Sequence, residues 1–229
     1  MIKPKMKPIL FSTPMVQAIL REENPKTNTR RVIKPQPRLV GMTGWHKPIL
    51  RIPGKGPLFP GNDDPKNVDV RWRFSPYKPG DALWVRESFA DIPETSPGNL
   101  HYKADANKAD LIWFKEEGWK WRPSIHMPRE AARIFLRVTD VRVERLLDIT
   151  ETDAMREGFE VKIKSKTVNG NVYNGSTTAR EGFLLYWDDL YAYKDVPKGE
   201  IFGPKASHKN PWVWVYAFRR ITREEACDE

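Results

Sequence analysis

The segment near the end of the chain, PWVWVYAFRRI, constrains the fold more than any other part of the sequence. Large aromatic side chains alternate there with smaller aliphatic ones, so a strand would carry apolar groups on both of its faces. One face would hold Trp212, Trp214, Tyr216 and Phe218, and the other Val213, Val215 and Ala217. We therefore predict a central strand that protein covers on both sides.

Other segments also have the apolar alternation of strands. They lie at residues 8–12, 82–89 and 132–146. The last shifts its alternation near Asp140, which predicts either a bend or bulge in a long strand or a tight hairpin. Few helical segments separate them, and the strands do not alternate with helices in the regular way of a wound parallel sheet. The pattern predicts an α+β protein, built as a small mixed β-barrel with short flanking helices and long inserted loops.

Helix signals occur at three places. Thr13, which precedes a proline, is the predicted N-cap of a first helix. In DITETDAMREGF, either Thr150 or Thr152 is the predicted N-cap of a short helix that Gly158 closes. The segment TAREGFLLYWDDLYA has apolar residues at helical spacing and predicts a longer helix.

Three polar segments, at residues 36–75, 91–123 and 161–176, are interpreted as insertions into a single domain that covers residues 1–229. The third contains two Asn-Gly pairs, which predict a hairpin or a mobile loop. The second contains Trp119 and Trp121 beside Lys120 and Arg122. Because aromatic rings on a basic surface bind unpaired bases, we interpret these two tryptophans as candidates for base stacking.

The charge of the chain favours an anionic partner. The net charge is +9 and the isoelectric point is about 9.6, which is typical of proteins that bind phosphates. The first 38 residues contain nine Lys or Arg residues against two acidic ones, a balance of +7. This concentration predicts a partner such as RNA or a nucleotide, with DNA still open, although a basic run is also compatible with a solvated surface.

Several classes of protein are disfavoured. The one cysteine, Cys227, can build neither a disulfide framework nor a cysteine-based zinc site. The four histidines, His46, His101, His126 and His208, show no spacing typical of metal ligands, so no metal and no cofactor are predicted. No apolar run approaches 18 residues, and no signal-peptide pattern is present. We expect a cytoplasmic protein that does not enter membranes.

Three motifs taken together resemble a known family. They are KPILFSTPMVQAIL…KTNTRRVIKP, GDALWVRES and RVTDVRVERLLDITETDAMREGF, and with the closing helix and strand they cover roughly half of the chain. In this order they resemble the ASCH domain of the PUA-like superfamily, in the form carried by many phage and prophage genes. The resemblance implies a small β-barrel with flanking helices and a cleft for RNA, a nucleotide or a modified base.

The resemblance also implies roles for individual residues. Some relatives are similar to amidohydrolases that remove the acyl group from N4-acetylcytidine, and others look like ribonucleases. In the amidohydrolase branch a Lys-x-x-Thr element works with a glutamate in a short helix, and these positions fall on Lys26, Thr29 and Glu157. The family arginine falls on Arg31. The link between the first helix and Lys26 is longer here than in the family pattern.

Amide hydrolysis requires a nucleophile, a base and a group that stabilises the oxyanion. Thr29 is the predicted nucleophile or water-orienting group, Glu157 the base and Lys26 the oxyanion stabiliser. Thr27, Arg30 and Arg31 are the predicted contacts to substrate or phosphate, since guanidinium groups suit phosphate. A nucleic-acid or nucleotide binding module and a hydrolase both remain open, as does a scaffold for protein contacts. Because side chains three apart in a strand point to opposite faces, Lys26 and Thr29 can share a cleft only if the chain turns between them.

Overall fold

Five strands form one mixed sheet in the computed structural model, which describes residues 6–42, 48–57, 74–92, 100–168, 171–191 and 209–227. In chain order, the strands are β1 (Lys7–Leu10), β2 (Asn28–Val32), β3 (Arg38–Met42), β4 (Pro48–Ile52), β5 (Gly56–Pro57), β6 (Ala82–Arg86), β7 (Phe89–Asp91), β8 (Leu100–Tyr102), β9 (Phe135–Arg145), β10 (Lys162–Val168), β11 (Asn171–Thr177) and β12 (Trp212–Ile221). The main sheet has the order β1-β6-β9-β12-β2. β1 runs parallel to β6, whereas β6 with β9 and β2 with β12 are antiparallel pairs.

The helices are few and short, which together with the mixed sheet confirms the predicted α+β class. They are α1 (Thr13–Leu20), α2 (Lys108–Glu116), α3 (Glu151–Arg156), α4 (Ala179–Tyr191) and α5 (Arg223–Cys227). In the described part of the chain, single 3₁₀ turns lie at Ser124–His126, Arg129–Ala131 and Leu146–Asp148. None of the helices in the described part of the chain has the length and apolar character needed to cross a bilayer.

The main sheet is open in the described part of the chain. Its order ends at β1 on one side and at β2 on the other. A closed barrel would leave no such ends. The described residues therefore show the mixed α+β architecture. They do not show the predicted PUA-like barrel.

The prediction for the closing segment is confirmed. β12 lies between β9 and β2 in the sheet. Val213, Trp214, Val215 and Tyr216 are all buried, although they belong alternately to the two faces of the strand. Apolar side chains on both faces thus mark an internal strand that is covered on both sides.

The two caps predicted from sequence have different outcomes. Thr13 is not the N-cap of α1, because Thr13 is already helical and Ser12, with φ −73° and ψ 159°, has the extended conformation of a cap. Thr150 is the N-cap of α3, since its hydroxyl oxygen accepts a hydrogen bond from the Asp153 backbone N–H at 3.1 Å. Gly158, with φ 93°, follows this helix as predicted.

The predicted insertions contain regular structure. The segment 36–75 includes a three-stranded sheet of β3, β4 and β5, and the segment 91–123 includes β8 and α2. In the segment 161–176, β10 pairs with β11 in an antiparallel hairpin. Residues 43–47, 58–73, 93–99 and 169–170 lie outside the described residues, and so do His46 and His208.

The chain divides into two compact units. Unit 1 comprises Met1–Thr27, Pro79–Thr139 and Phe218–Glu229, and unit 2 comprises Asn28–Lys78 and Asp140–Ala217. The core of unit 2 is an apolar cluster of Leu146, Ile149, Ala154, Ala179, Phe183, Trp187, Val213 and Val215. The single domain predicted from sequence stays a prediction.

Candidate functional site

β2 brings part of the predicted KTNTRR motif into unit 2. The strand pairs with β12 so that Arg30 lies opposite Val215 and Thr29 lies opposite Tyr216. Neighbouring side chains of a strand point to opposite faces of the sheet. Val215 belongs to the apolar core of unit 2, and Phe183 of α4 is 5.8 Å from the Arg30 guanidinium. Arg30 thus faces the helices α3 and α4, and Thr29 faces the other side of β2.

Arg30 is the centre of a buried ionic cluster, which we call the Arg30 cluster: Arg30, Arg142, Glu144, Asp153 and Glu157. The Arg30 side chain is fully buried, with 0% exposure. Its Nε donates to Glu144 Oε1 at 2.8 Å, and its Nη1 donates to Glu157 Oε1 at 3.1 Å. Its Nη2 donates to Glu144 and lies 3.4 Å from Asp153 Oδ2. Three carboxylates therefore surround one guanidinium.

Local structure explains how the carboxylates reach Arg30. Glu144 is near the end of β9, and Asp153 and Glu157 are four residues apart at α3. Side chains four apart on a helix lie on the same face, so Asp153 and Glu157 both meet Arg30. The helix ends at Arg156, and Glu157 is its C-cap, whose N–H donates to the Asp153 carbonyl at 2.9 Å. Gly158 then takes the left-handed conformation. Glu157 is 3% exposed and so is almost completely buried.

A second guanidinium holds the outer side of the Arg30 cluster. Arg142 Nε donates to Glu144 Oε2 at 3.1 Å, and Arg142 Nη2 donates to Asp153 Oδ1 at 3.0 Å. Partial burial by itself raises the pKa of the Asp153 carboxyl, but the charges of Arg142 and Arg30 and the hydrogen bonds outweigh it and place that pKa below its ordinary value. Burial opposes the charged form of Arg142, yet its two carboxylate partners raise the pKa of the guanidinium. The cluster contains three carboxylates and two guanidinium groups.

Lys26 and Thr27 precede β2 and belong to unit 1. Lys26 is only 2% exposed, its backbone N–H donates to the Ala18 carbonyl at 2.9 Å, and its ammonium is 5.8 Å from the centre of the Phe11 ring. The Thr27 carbonyl accepts a hydrogen bond from the Phe218 N–H at 2.8 Å. Lys26 is thus a buried cation, which is compatible with a role inside a site. Its convergence with Thr29 and Glu157 stays a prediction.

The remaining predicted residues are more open. Arg31 is half-buried and lies opposite Trp214 on β12. Burial raises the pKa values of Tyr191 and Tyr216, and the positive charge of Arg31 partly offsets both shifts. Trp119 and Trp121 pack on an apolar cluster of Ala90, Ile92 and Phe114 in unit 1. The Trp121 ring stacks on Phe114 with 4.0 Å between centroids, so one of its faces is already covered.

Sequence reasoning missed Asn28, Arg142, Glu144 and Asp153. The spacing of Asp153 and Glu157 is a signal that could have found one of them, since four residues along a helix place two carboxylates together. Arg30 was predicted to contact a phosphate. In the structure its guanidinium binds carboxylates instead. Its guanidinium has no exposed surface for a phosphate, which favours a role in positioning the acidic residues.

Among the residues that the structure describes, no group of three or more His, Cys, Asp or Glu side chains has the arrangement of a metal site. Neither a family model nor a curated protein nor a solved structure matches this chain. The functional argument therefore depends on the site itself.

Proposed function

We propose that this protein is a hydrolase that removes the acyl group from N4-acylated cytidine-type nucleosides, with Glu157 as the general base. The observation that supports it is the burial of Glu157 at 3% exposure beside the fully buried guanidinium of Arg30. Buried ionic groups usually contribute little to stability relative to apolar replacements, so their presence in a site favours a functional reason. Glu157 is also the glutamate that the ASCH resemblance selects.

The proposed reaction uses a water molecule. The Glu157 carboxylate accepts a proton from the water while the oxygen attacks the acyl carbonyl carbon, which forms a tetrahedral oxyanion. The C–N bond then breaks, and the proton held by Glu157 passes to the departing nitrogen. The products are a carboxylic acid and cytidine. Arg30 orients Glu157 and does not contact the substrate.

Membership of the ASCH family and a PUA-like barrel form part of this proposal. A mixed sheet with a parallel β1–β6 pair and short helices is compatible with them. The proposal requires a nucleoside cleft beside Glu157.

The test is hydrolysis of N4-acetylcytidine by the full chain, followed as release of cytidine by liquid chromatography. Glu157→Gln removes the base while keeping the size of the side chain, and we expect turnover to fall at least about 100-fold. Glu160→Gln is the matched control, because Glu160 is exposed and lies three residues away. The proposal fails if the wild-type protein does not release cytidine, or if both variants retain turnover.

A binding module for RNA or a nucleotide is the second candidate. The half-buried position of Arg31 favours it, because this guanidinium reaches the surface whereas Arg30 does not. Arg31→Ala should then weaken binding of a short RNA and reduce its salt dependence, with Arg219→Ala as the control at an exposed site. RNA affinity that is equal in both variants would reject this candidate.

A further inference from the structure

The side-chain amide nitrogen of Asn28 is buried without a hydrogen-bond partner. Asn28 is the first residue of β2 and is 3% exposed. Burying a donor without an acceptor costs stability, and native structures pair nearly all such groups. An unpaired donor beside a candidate site is therefore available to a ligand.

The neighbours of Asn28 explain why no protein atom accepts this hydrogen bond. Arg30 is two residues away on the same face of β2, and its guanidinium can only donate. Ala217 lies directly opposite on β12, and its methyl group has no acceptor. Asn28 thus stands on the face of the sheet that carries the Arg30 cluster, and neither its neighbour on this face of β2 nor the residue opposite it carries a side-chain acceptor.

The charges around this face indicate what kind of ligand group would bind. The Arg30 cluster has three carboxylates and only two guanidinium groups. Within unit 2 the surroundings of Asn28 therefore do not favour a phosphate. A neutral acceptor, such as a carbonyl oxygen, suits both the neutral amide donor and the excess of negative charge.

We infer that Asn28 binds the carbonyl oxygen of a pyrimidine ring through its amide N–H. This inference rests on the proposed function, in which the ring carbonyl of the nucleoside needs a donor of its own. Asn28 is then a binding residue that selects the pyrimidine base. Substrate and product share this carbonyl, so Asn28 holds both of them equally and does not act on the reacting bond.

Two other buried polar atoms among the described residues are also unpaired, and neither supports a ligand as well. They are Arg86 Nε and His101 Nε2. Arg86 already donates through Nη2 to the Ile125 carbonyl and covers the Trp84 ring. His101 packs beside the rings of Trp113 and Phe114 in unit 1.

The experiment compares Asn28→Ala and Asn28→Leu with the wild-type protein and with Asn107→Ala. Asn107 is the matched control because its amide oxygen accepts two hydrogen bonds as the cap of α2. We would measure kcat and KM for N4-acetylcytidine, the Kd for cytidine by calorimetry and the Tm of each variant. We expect KM and Kd to rise roughly five- to tenfold in both Asn28 variants, as for loss of one neutral hydrogen bond.

The other readouts separate binding from structure. In the Asn28 variants kcat should stay within about twofold, because the lost hydrogen bond is neutral and lies away from the reacting bond. The Tm of each variant shows whether it is folded at the temperature of the assay. Asn107→Ala should lower Tm and leave KM and Kd unchanged. Unchanged KM and Kd, or a lower kcat at constant KM, in folded Asn28 variants would each overturn the inference while the proposed function stands. A wild-type protein that neither hydrolyses N4-acetylcytidine nor binds cytidine would overturn both.

Discussion

Replacing Arg30 by methionine tests the Arg30 cluster directly. Methionine has nearly the length of the arginine stem, so the packing against Phe183 is largely kept while the guanidinium is lost. Removing one partner of a buried ion pair leaves an uncompensated charge and costs about 3–5 kcal/mol. Since whole domains are stable by about 5–15 kcal/mol, Arg30→Met should remove a large part of the free energy of unfolding.

The geometry shows where this cost arises. Glu144 and Asp153 would each keep a hydrogen bond from Arg142, at 3.1 and 3.0 Å. Glu157, at 3% exposure, would lose the Arg30 donor at 3.1 Å. Part of the cost should therefore come from Glu157, whose side chain is the most deeply buried of the three carboxylates. Arg142→Met is the matched control, because the Arg142 side chain is 35% exposed, and we expect it to cost about 1 kcal/mol.

Urea denaturation at pH 7, followed by circular dichroism, gives the free energy of unfolding for each variant. In a double-mutant cycle, Arg30→Met should cost at least about 1 kcal/mol less when Glu157 is already glutamine, because the Arg30–Glu157 ion pair is then already absent. If Arg30→Met does not fold, Arg30→Lys supplies a milder change, since lysine keeps the charge but cannot bind several carboxylates in a plane. A cost below about 1 kcal/mol, or an equal cost in both backgrounds, would refute this account of the cluster.

Further predictions concern α3. Asp153→Asn should lower the free energy of unfolding by about 1–2 kcal/mol at pH 7. Because the pKa of folded Asp153 lies below its unfolded value, its contribution is present above about pH 4 and is lost as pH falls through the folded pKa. The acid limb of a stability curve should therefore be flatter in Asp153→Asn, and an unchanged limb would contradict this assignment. Thr150→Ala should lower the free energy of unfolding by about 1 kcal/mol through loss of the N-cap, whereas Thr152→Ala, at an exposed helical site, should change it by less than about 0.5 kcal/mol in the same urea experiment. Equal effects of the two threonine variants would show that the cap does not stabilise the helix.

The elements that were predictable from sequence have strong local patterns. β12 could be predicted because both of its faces are apolar, and the β10–β11 hairpin because Asn-Gly pairs favour tight turns. α3 has a threonine cap and a closing glycine within nine residues of each other. Local chemistry decides such elements, so one sequence is enough to predict them.

The Arg30 cluster was not predictable in the same way. Arg30 is 114 residues from Glu144 and 127 residues from Glu157 in the chain. A guanidinium in a basic run looks like a phosphate contact until the fold places carboxylates around it. The strands β3, β4 and β5 were missed for another reason, because they lie in a segment rich in proline and glycine, whose residues favour turns.

The alternation of side chains along β2 divides the predicted catalytic residues. Arg30 reaches Glu157, so Thr29, its neighbour in the strand, points to the opposite face beside Tyr216. A direct proton transfer from Thr29 to Glu157 would have to cross the sheet, and water is the better nucleophile for the proposed hydrolysis. Thr29→Val, which removes only the hydroxyl, should then keep kcat for N4-acetylcytidine within about tenfold, whereas Glu157→Gln should lower it at least about 100-fold. A loss as large in Thr29→Val as in Glu157→Gln would mean that the threonine acts as the nucleophile and that β2 rearranges when substrate binds.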